Sequence, residues 1–389
     1  MRNEDALILH LTCKALDLPA YQSLKISENE DFDWEYFAKA SVIHGVFLLI
    51  YPILKLTRLI TIPENQKVVL KTLARNYTIK SIRLSAELVK ICTLLKGKGI
   101  PAVPFKGPTL SHAVYDKQDV RIFSDLDVLL KANDVENALV CLQEQGYAPL
   151  INLDQEQLTR YKSFENDIQL SNLNGVVVEI HWEATGRYLE KAFDFEYFGS
   201  RVHNMDFFET KIQQLAREDL LIYLCVHGTR HAWERLEWLC SVACILRNPD
   251  IVDFTEIFSR VKSLGCRRIV LQAFILAQEV FAIDLPKILQ ERIMREQKTL
   301  DIVGKNKKDL SPVYNDGLNT IQKSGHRFKL FQFLLRDHWT GSVKYLFRQV
   351  FRPRVTDFQL ICLPAKLFPL YYLIRPYRLV LKGLINLKR

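Results

Sequence analysis

Residues 125–130, Asp-Leu-Asp-Val-Leu-Leu, set two carboxylates two positions apart inside an apolar run. A strand that only has to pack avoids them, because burying an unpaired charge is expensive. On a strand, residues i and i+2 share a face, at about 6–7 Å between Cα atoms. Asp125 and Asp127 therefore point one way, while Leu126, Val128 and Leu130 point the other, toward a core. Carboxylates so placed either face solvent or hold something positive. Mg²⁺ commonly uses one or two carboxylates together with substrate phosphates. Two such ions can clamp the attacking and leaving oxygens of a phosphoryl displacement.

A two-acid strand is weak evidence by itself, and three neighbouring features strengthen it. Gly107, followed by Pro108 and Thr109, stands between a short apolar segment (100–105) and a helical one. A glycine there lets phosphate approach the backbone, and the helix N-terminus supplies N–H donors. Glu179 is a lone acid in the strand-like "VVVEIHW" and shares its face with His181. If that strand lies beside 125–130, Glu179 is a third carboxylate, able to ligate metal and accept a proton from an attacking hydroxyl. Lys106 and Arg121 bring positive charge to the same window, and Arg can bind phosphate bidentately.

These features occupy one mixed unit. Leu84, Leu88, Ile91 and Leu95 recur at helical spacing, and Gly97 and Gly99 stop that helix. The strand at 100–105 follows, then a helix opened by Pro108, whose missing N–H suits a first turn. The strand at 125–130 precedes a helix with Asn133 as N-cap and Glu136 completing a capping box. "NDIQLSN" and "GVVVEIHW" close the unit as a hairpin-like pair. The expected class is α+β, a small mixed-sheet domain embedded in helical N- and C-terminal regions. The expected divisions are a helical region at 1–79, ending its "FDWEYFAKASVIHGVFLLIYPIL" run near Pro52, and a catalytic domain at 80–200. A helical substrate or packing domain follows at 201–302, its helices returning from 212. A linker or loop at 303–325 and a basic C-terminal helical region at 326–389 complete the chain.

The order of strand, glycine-led helix, acid-x-acid strand and later acidic strand resembles the polymerase-β-like nucleotidyltransferase superfold. More closely, "LLKGKGIPAVPFKGPTLSHAVYDKQDVRIFSDLDVLL" resembles the uncharacterised nucleotidyltransferase family at Lys106, Gly107, Leu110, Tyr115, Arg121, Asp125, Asp127 and Leu130. "VEIHW" matches at Glu179, His181 and Trp182, "VHGTRHAWERLEWL" at His227, His231, Trp233, Leu236 and Trp238, and the closing segment at Pro353, Asp357, Pro364 and Arg375-Pro376. Pro108 departs from the small residue often found there, and Ser241 stands where the family usually has Asp.

The resemblance implies Mg²⁺- or Mn²⁺-dependent transfer of an NMP, with AMP from ATP expected, to an acceptor, releasing pyrophosphate. Asp125, Asp127 and Glu179 are its catalytic and metal-binding candidates. Lys106, Gly107, Thr109, Arg121 and Ser124 are the nucleotide-binding candidates. Tyr115, His181, His227 and His231 are candidates for the substrate pocket. A small molecule, peptide or protein is favoured over nucleic acid as acceptor. The alternative is a catalytically silent binding protein that works through its basic C-terminus at a membrane surface or on nucleic acid.

Composition bounds the setting. The chain has 389 residues, 48% hydrophobic and 25% charged, which is ordinary for a globular protein. Its eight cysteines sit mostly in apolar surroundings and form no CxxC pair, as expected of reduced thiols in a cytoplasmic protein. His227 and His231, four apart on a helix, have zinc-ligand spacing but lack an obvious third ligand. The net charge of +9 is local: residues 323–389 carry 14 Lys or Arg and only Asp337 and Asp357. That basic, aromatic tail is a poor spanning helix but suits packing on the core or peripheral membrane contact.

Overall fold

A computed structural model describes residues 2–19, 32–115, 120–310 and 330–387. Its centre is a five-stranded mixed sheet: β1 (Val103–Pro104), β2 (Asp125–Leu129), β3 (Tyr147–Pro149), β4 (Asp167–Asn172) and β5 (Val177–His181), in the order β1-β2-β5-β4-β3. β2 and β5 run parallel, and every other pairing is antiparallel.

The two faces differ as the alternation requires. Leu126, Val128 and Leu130 are fully buried with Val178, Ile180, Ile168 and Leu170. Against them pack α4 (Glu64–Gly97), through Leu84, Leu88, Ile91 and Leu95, and α6 (Val135–Glu144), through Leu139 and Leu142. Burying each such side chain stabilises by about 1.5–3 kcal/mol, which fixes the strand's register and keeps Asp125 and Asp127 on the other face.

The second core joins distant parts of the chain. α1 (Asn3–Ala15), α2 (Trp34–Ile43) and α3 (Phe47–Leu54) share it with α9 (Arg217–Arg230), α10 (Leu236–Arg247), α11 (Phe254–Leu264) and α12 (Arg267–Phe281). Phe105, Leu110 and Leu129 carry it to the end of the sheet.

Several local expectations change. The break in the 32–54 run falls at Gly45, with φ +73° and the Arg235 and Glu237 side chains 2.6 Å from where a Cβ would stand; Pro52 lies inside α3. α6 starts after Asp134, one residue later than expected, so the Asn133–Glu136 capping box does not form; Glu136 lies 3.5 Å from Lys162. A hairpin, β6 (His203–Phe207) and β7 (Thr210–Gln214), occupies the start of the stretch expected to be helical from 212, burying Phe207 and Ile212. The helix Gln297–Leu310 covers the start of the expected 303–325 linker, the rest of which lies outside the described residues.

Arg230 of α9 and the C-terminal region together fasten the segment following β5. Arg230 donates to the Thr185 carbonyl at 3.2 Å, Arg352 to Gly186 at 2.7 Å and Arg336 to Tyr188 at 2.6 Å. Arg348 donates to Arg187 at 2.7 Å and to Leu189 at 3.1 Å. Five consecutive carbonyls thus meet guanidinium groups. Among the described residues, no helix is long and apolar enough to cross a membrane.

Candidate active site

Asp127 of β2 lies directly opposite Glu179 of β5, and Asp125 opposite Val177. On the other side of β5, Asp167 of β4 faces His181, and Gln169 faces Glu179. Opposed residues share a face, so four acids, a glutamine and a histidine gather on the polar side of the sheet. β1 adds Lys106: Phe105 N–H donates to the Asp127 carbonyl at 3.4 Å, which brings the next side chain over the acids.

The contacts are close. Lys106 Nζ donates to Asp127 Oδ1 at 2.6 Å. His181 Nε2 lies 2.9 Å from that same oxygen and 3.2 Å from Glu179 Oε2. Gln169 Nε2 donates to Glu179 Oε1 at 2.6 Å. The edge of Phe105 meets the His181 ring at 5.1 Å and restrains it.

Charge on this face is unevenly balanced. Burial pushes the Asp125 carboxyl up, and the charges of Asp127 and Glu179 push it further, to about 6, against the pull of Lys106. Asp127 is more deeply buried, yet Lys106 and His181 outweigh that burial and hold it well below the usual carboxylate range. Burial opposes the His181 imidazolium, but its bonds to Asp127 and Glu179, with the charge of Asp167, raise it to about 9. The site retains a demand for positive charge around Asp125.

That demand bears on metal binding. Ligand atoms of Asp127, Glu179 and His181 lie within 4.8 Å of one another, and this is the one such three-ligand group among the described residues. With Asp125 beside it, the donor set is rich in carboxylate oxygen, which suits Mg²⁺ or Mn²⁺. The residues fit a divalent cation.

The Gly107 turn is shaped from behind. Gly107 has φ +57°, and a Cβ there would stand 3.4 Å from the Asp125 carbonyl. α5 (Gly107–Tyr115) starts at this turn, with Pro108 in its first turn. The Thr109 hydroxyl is buried and donates to the Lys106 carbonyl at 2.9 Å. Arg121 is buried too; its Nη1 donates to the Gly107 carbonyl at 3.3 Å and its Nε to Glu237 Oε2 at 3.1 Å. Thr109 and Arg121 therefore brace the turn, whereas Ser124 is exposed beside Asp125.

The remaining candidates separate into two groups. Tyr115 Oη lies 2.9 Å from Ser241 Oγ, and Ser241 donates to the Glu237 carbonyl at 2.9 Å. That pair ties α5 to α10, away from the carboxylates. The His227 and His231 rings lie 4.7 Å apart, tilted at 45°, beside Trp238, 4.9 Å from His227. Burial, then the positive charge of His231, Lys106 and Arg230, holds His227 well below the ordinary histidine range, so it is neutral. Tyr223 links this aromatic wall to the acids: its Oη is 3.3 Å from His227 Nδ1, and its ring centroid is 6.0 Å from Lys106 Nζ.

Asp167, Gln169, Tyr223 and Arg230 are absent from the sequence-based set. Asp167 and Gln169 alternate with Ile168 and Leu170, the same period-two signal that marks Asp125 and Asp127. Tyr223 and Arg230 reach the site from a helix distant in sequence, which no local pattern announces. No curated protein matches the chain. The model of an uncharacterised nucleotidyltransferase family matches residues 30–282, well over half of the chain, spanning the sheet, the acids and the helix above them; the protein belongs to that nucleotidyltransferase family.

Proposed function

We propose that the protein transfers a nucleoside monophosphate, AMP from ATP, to a hydroxyl or phosphate oxygen of an acceptor, with Mg²⁺ as cofactor. The observation that carries this is the register of Asp127 against Glu179 on parallel strands, with Asp125 on the same face. Asp125, Asp127 and Glu179 would hold the cations, and His181 orients two of these carboxylates. When bound there, Mg²⁺ neutralises triphosphate charge and polarises the phosphorus under attack.

The chain's own groups supply the rest. Lys106 is poised to leave Asp127 for a phosphate oxygen. The Gly107 turn, braced by Arg121 and Thr109, offers backbone to the triphosphate. Glu179 accepts the proton as the acceptor oxygen bonds to the α-phosphorus. The bond from that phosphorus to the bridging oxygen breaks, and pyrophosphate leaves. His227, His231 and Trp238, half-buried beside the buried Tyr223, offer rings for stacking against substrate. Four acids gathered on one face favour a small molecule, peptide or protein acceptor over a second polyanion. The retained carboxylates weigh against a silent binding protein.

The test is mass spectrometry of a cell extract incubated with labelled NTPs, Mg²⁺ and the protein, seeking an acceptor that gains a nucleotidyl group. Asp127→Asn should abolish the product. Equal labelling by the variant, or no NTP consumption with any extract, overturns the proposal.

A further inference from the structure

We propose that the C-terminal helices form a docking face for an anionic lipid bilayer. The helix Trp339–Phe351 buries Gly341, Ser342 and Tyr345. It turns outward Trp339, Val343 and Phe347, which are 78%, 51% and 57% exposed. The helix Tyr371–Leu387 packs beside it. That helix buries Tyr371 and Arg375 but exposes Leu373, Tyr377 and Val380 at 68%, 67% and 61%. On each helix the exposed apolar positions recur at i, i+4 and i+7 or i+8, a continuous stripe. Exposed Leu360, Ile361, Leu367 and Leu370 lie in the segment between the two.

Charge selects the occupant. Residues 339–387 contain eight lysines and arginines and a single carboxylate, Asp357. Asp357 is buried, and Arg378 lies 2.9 Å from it. Lys344, Arg354 and Lys366 are exposed among the apolar side chains. Within residues 339–387 the surface is apolar and positive with no exposed acid. A second copy docking symmetrically would set like charge against like charge. Nucleic acid would neutralise the charge but leave the aliphatic stripe in water. An anionic bilayer meets both, taking the apolar stripe below its headgroups and the basic side chains among them. Trp339, Tyr372 and Tyr377 have the amphipathic rings favoured at that depth. The helices would lie in the interface, in keeping with the lack of a spanning helix among the described residues.

The experiment is flotation of the full chain with vesicles of phosphatidylcholine alone or mixed with phosphatidylserine, at low and high salt, with light scattering for oligomeric state. The protein should float with the mixed vesicles and be released by salt. Phe347→Glu combined with Leu373→Glu should abolish flotation without lowering the melting temperature. Should that variant fail to fold, Lys344→Glu with Lys366→Glu serves, with binding expected to fall about fivefold for each basic charge removed near the surface. Failure to float with mixed vesicles at low salt, or equal flotation by a folded variant, overturns the proposal. A dimer that Phe347→Glu converts to monomer, without flotation of the parent, assigns the face to a second copy instead. Neither outcome depends on nucleotidyl transfer.

Discussion

Arg121 and Glu237 form a buried ion pair across 116 positions of the chain, Nε to Oε2 at 3.1 Å, with Arg235 Nη2 3.2 Å from the other oxygen of Glu237. Both partners are withdrawn from solvent, and Arg121 also holds the Gly107 carbonyl. The arginine that sequence alone offers to the triphosphate braces the turn that would meet it. Removing one partner of such a pair leaves an uncompensated buried charge. Glu237→Gln should therefore cost about 3–5 kcal/mol in urea denaturation. Arg121→Met combined with Glu237→Leu should cost less than Glu237→Gln alone. A Glu237→Gln protein within about 1 kcal/mol of the parent would show that the pair holds little.

The carboxyl of Asp125 makes the metal-free protein sensitive to pH. Its folded value of about 6 exceeds the ordinary 3.8, so folding penalises its charged form. Its favourable contribution is whole below 3.8 and is lost as pH rises through about 6. Asp125→Asn should raise the melting temperature of metal-free protein above that pH, with the gain shrinking below it. Added Mg²⁺ should stabilise the parent more than the variant. A variant less stable than the metal-free parent above pH 6 contradicts this account.

His181 carries the opposite sign. Raised from 6.5 to about 9, its imidazolium stabilises the fold in full below 6.5 and loses that effect as pH climbs through about 9. Labelled-imidazole NMR of metal-free protein should show a histidine titrating near that upper value and missing in His181→Gln. Mg²⁺ should lower its midpoint, because the cation competes for Asp127 and Glu179. A His181 midpoint below 6.5 without metal would exclude the charged form.

Lys106 occupies an oxygen that a cation would claim, at 2.6 Å from Asp127 Oδ1. Lys106→Met should tighten Mn²⁺ binding several-fold by calorimetry, because one positive charge no longer competes. The same change should raise KM for the NTP, because that charge is then missing from the phosphates. Weaker Mn²⁺ binding in the variant would mean that Lys106 supports the carboxylate geometry more than it opposes the cation.

The sheet and its acids were legible because they rest on local alternation. Leu126, Val128 and Leu130 mark one face, so Asp125 and Asp127 had to occupy the other. The same rule in β4 pointed to Asp167 and Gln169, but a strand read only as a hairpin partner hides its polar face. The ion pair of Arg121 is hidden because Glu237, its partner, stands 116 positions away, and sequence spacing carries no sign of such a contact. The β6–β7 hairpin escaped because its apolar alternation is brief and broken by polar residues, and only its burial of Phe207 and Ile212 reveals it. Capping of α6 failed as a sequence rule because the helix starts one residue later, after Asp134, which leaves Glu136 at its second position and out of capping-box spacing.

The five carbonyls from Thr185 to Leu189 bear on where the chain can be cut. Four of them, from Gly186 onward, receive their guanidinium donors from Arg336, Arg348 and Arg352. The segment they belong to follows directly from the strand that carries Glu179 and His181. Removing the C-terminal region would strip those donors at a stroke and loosen the segment that follows β5. A shortened form should therefore keep residues 336–352 if this segment's carbonyls are to stay paired.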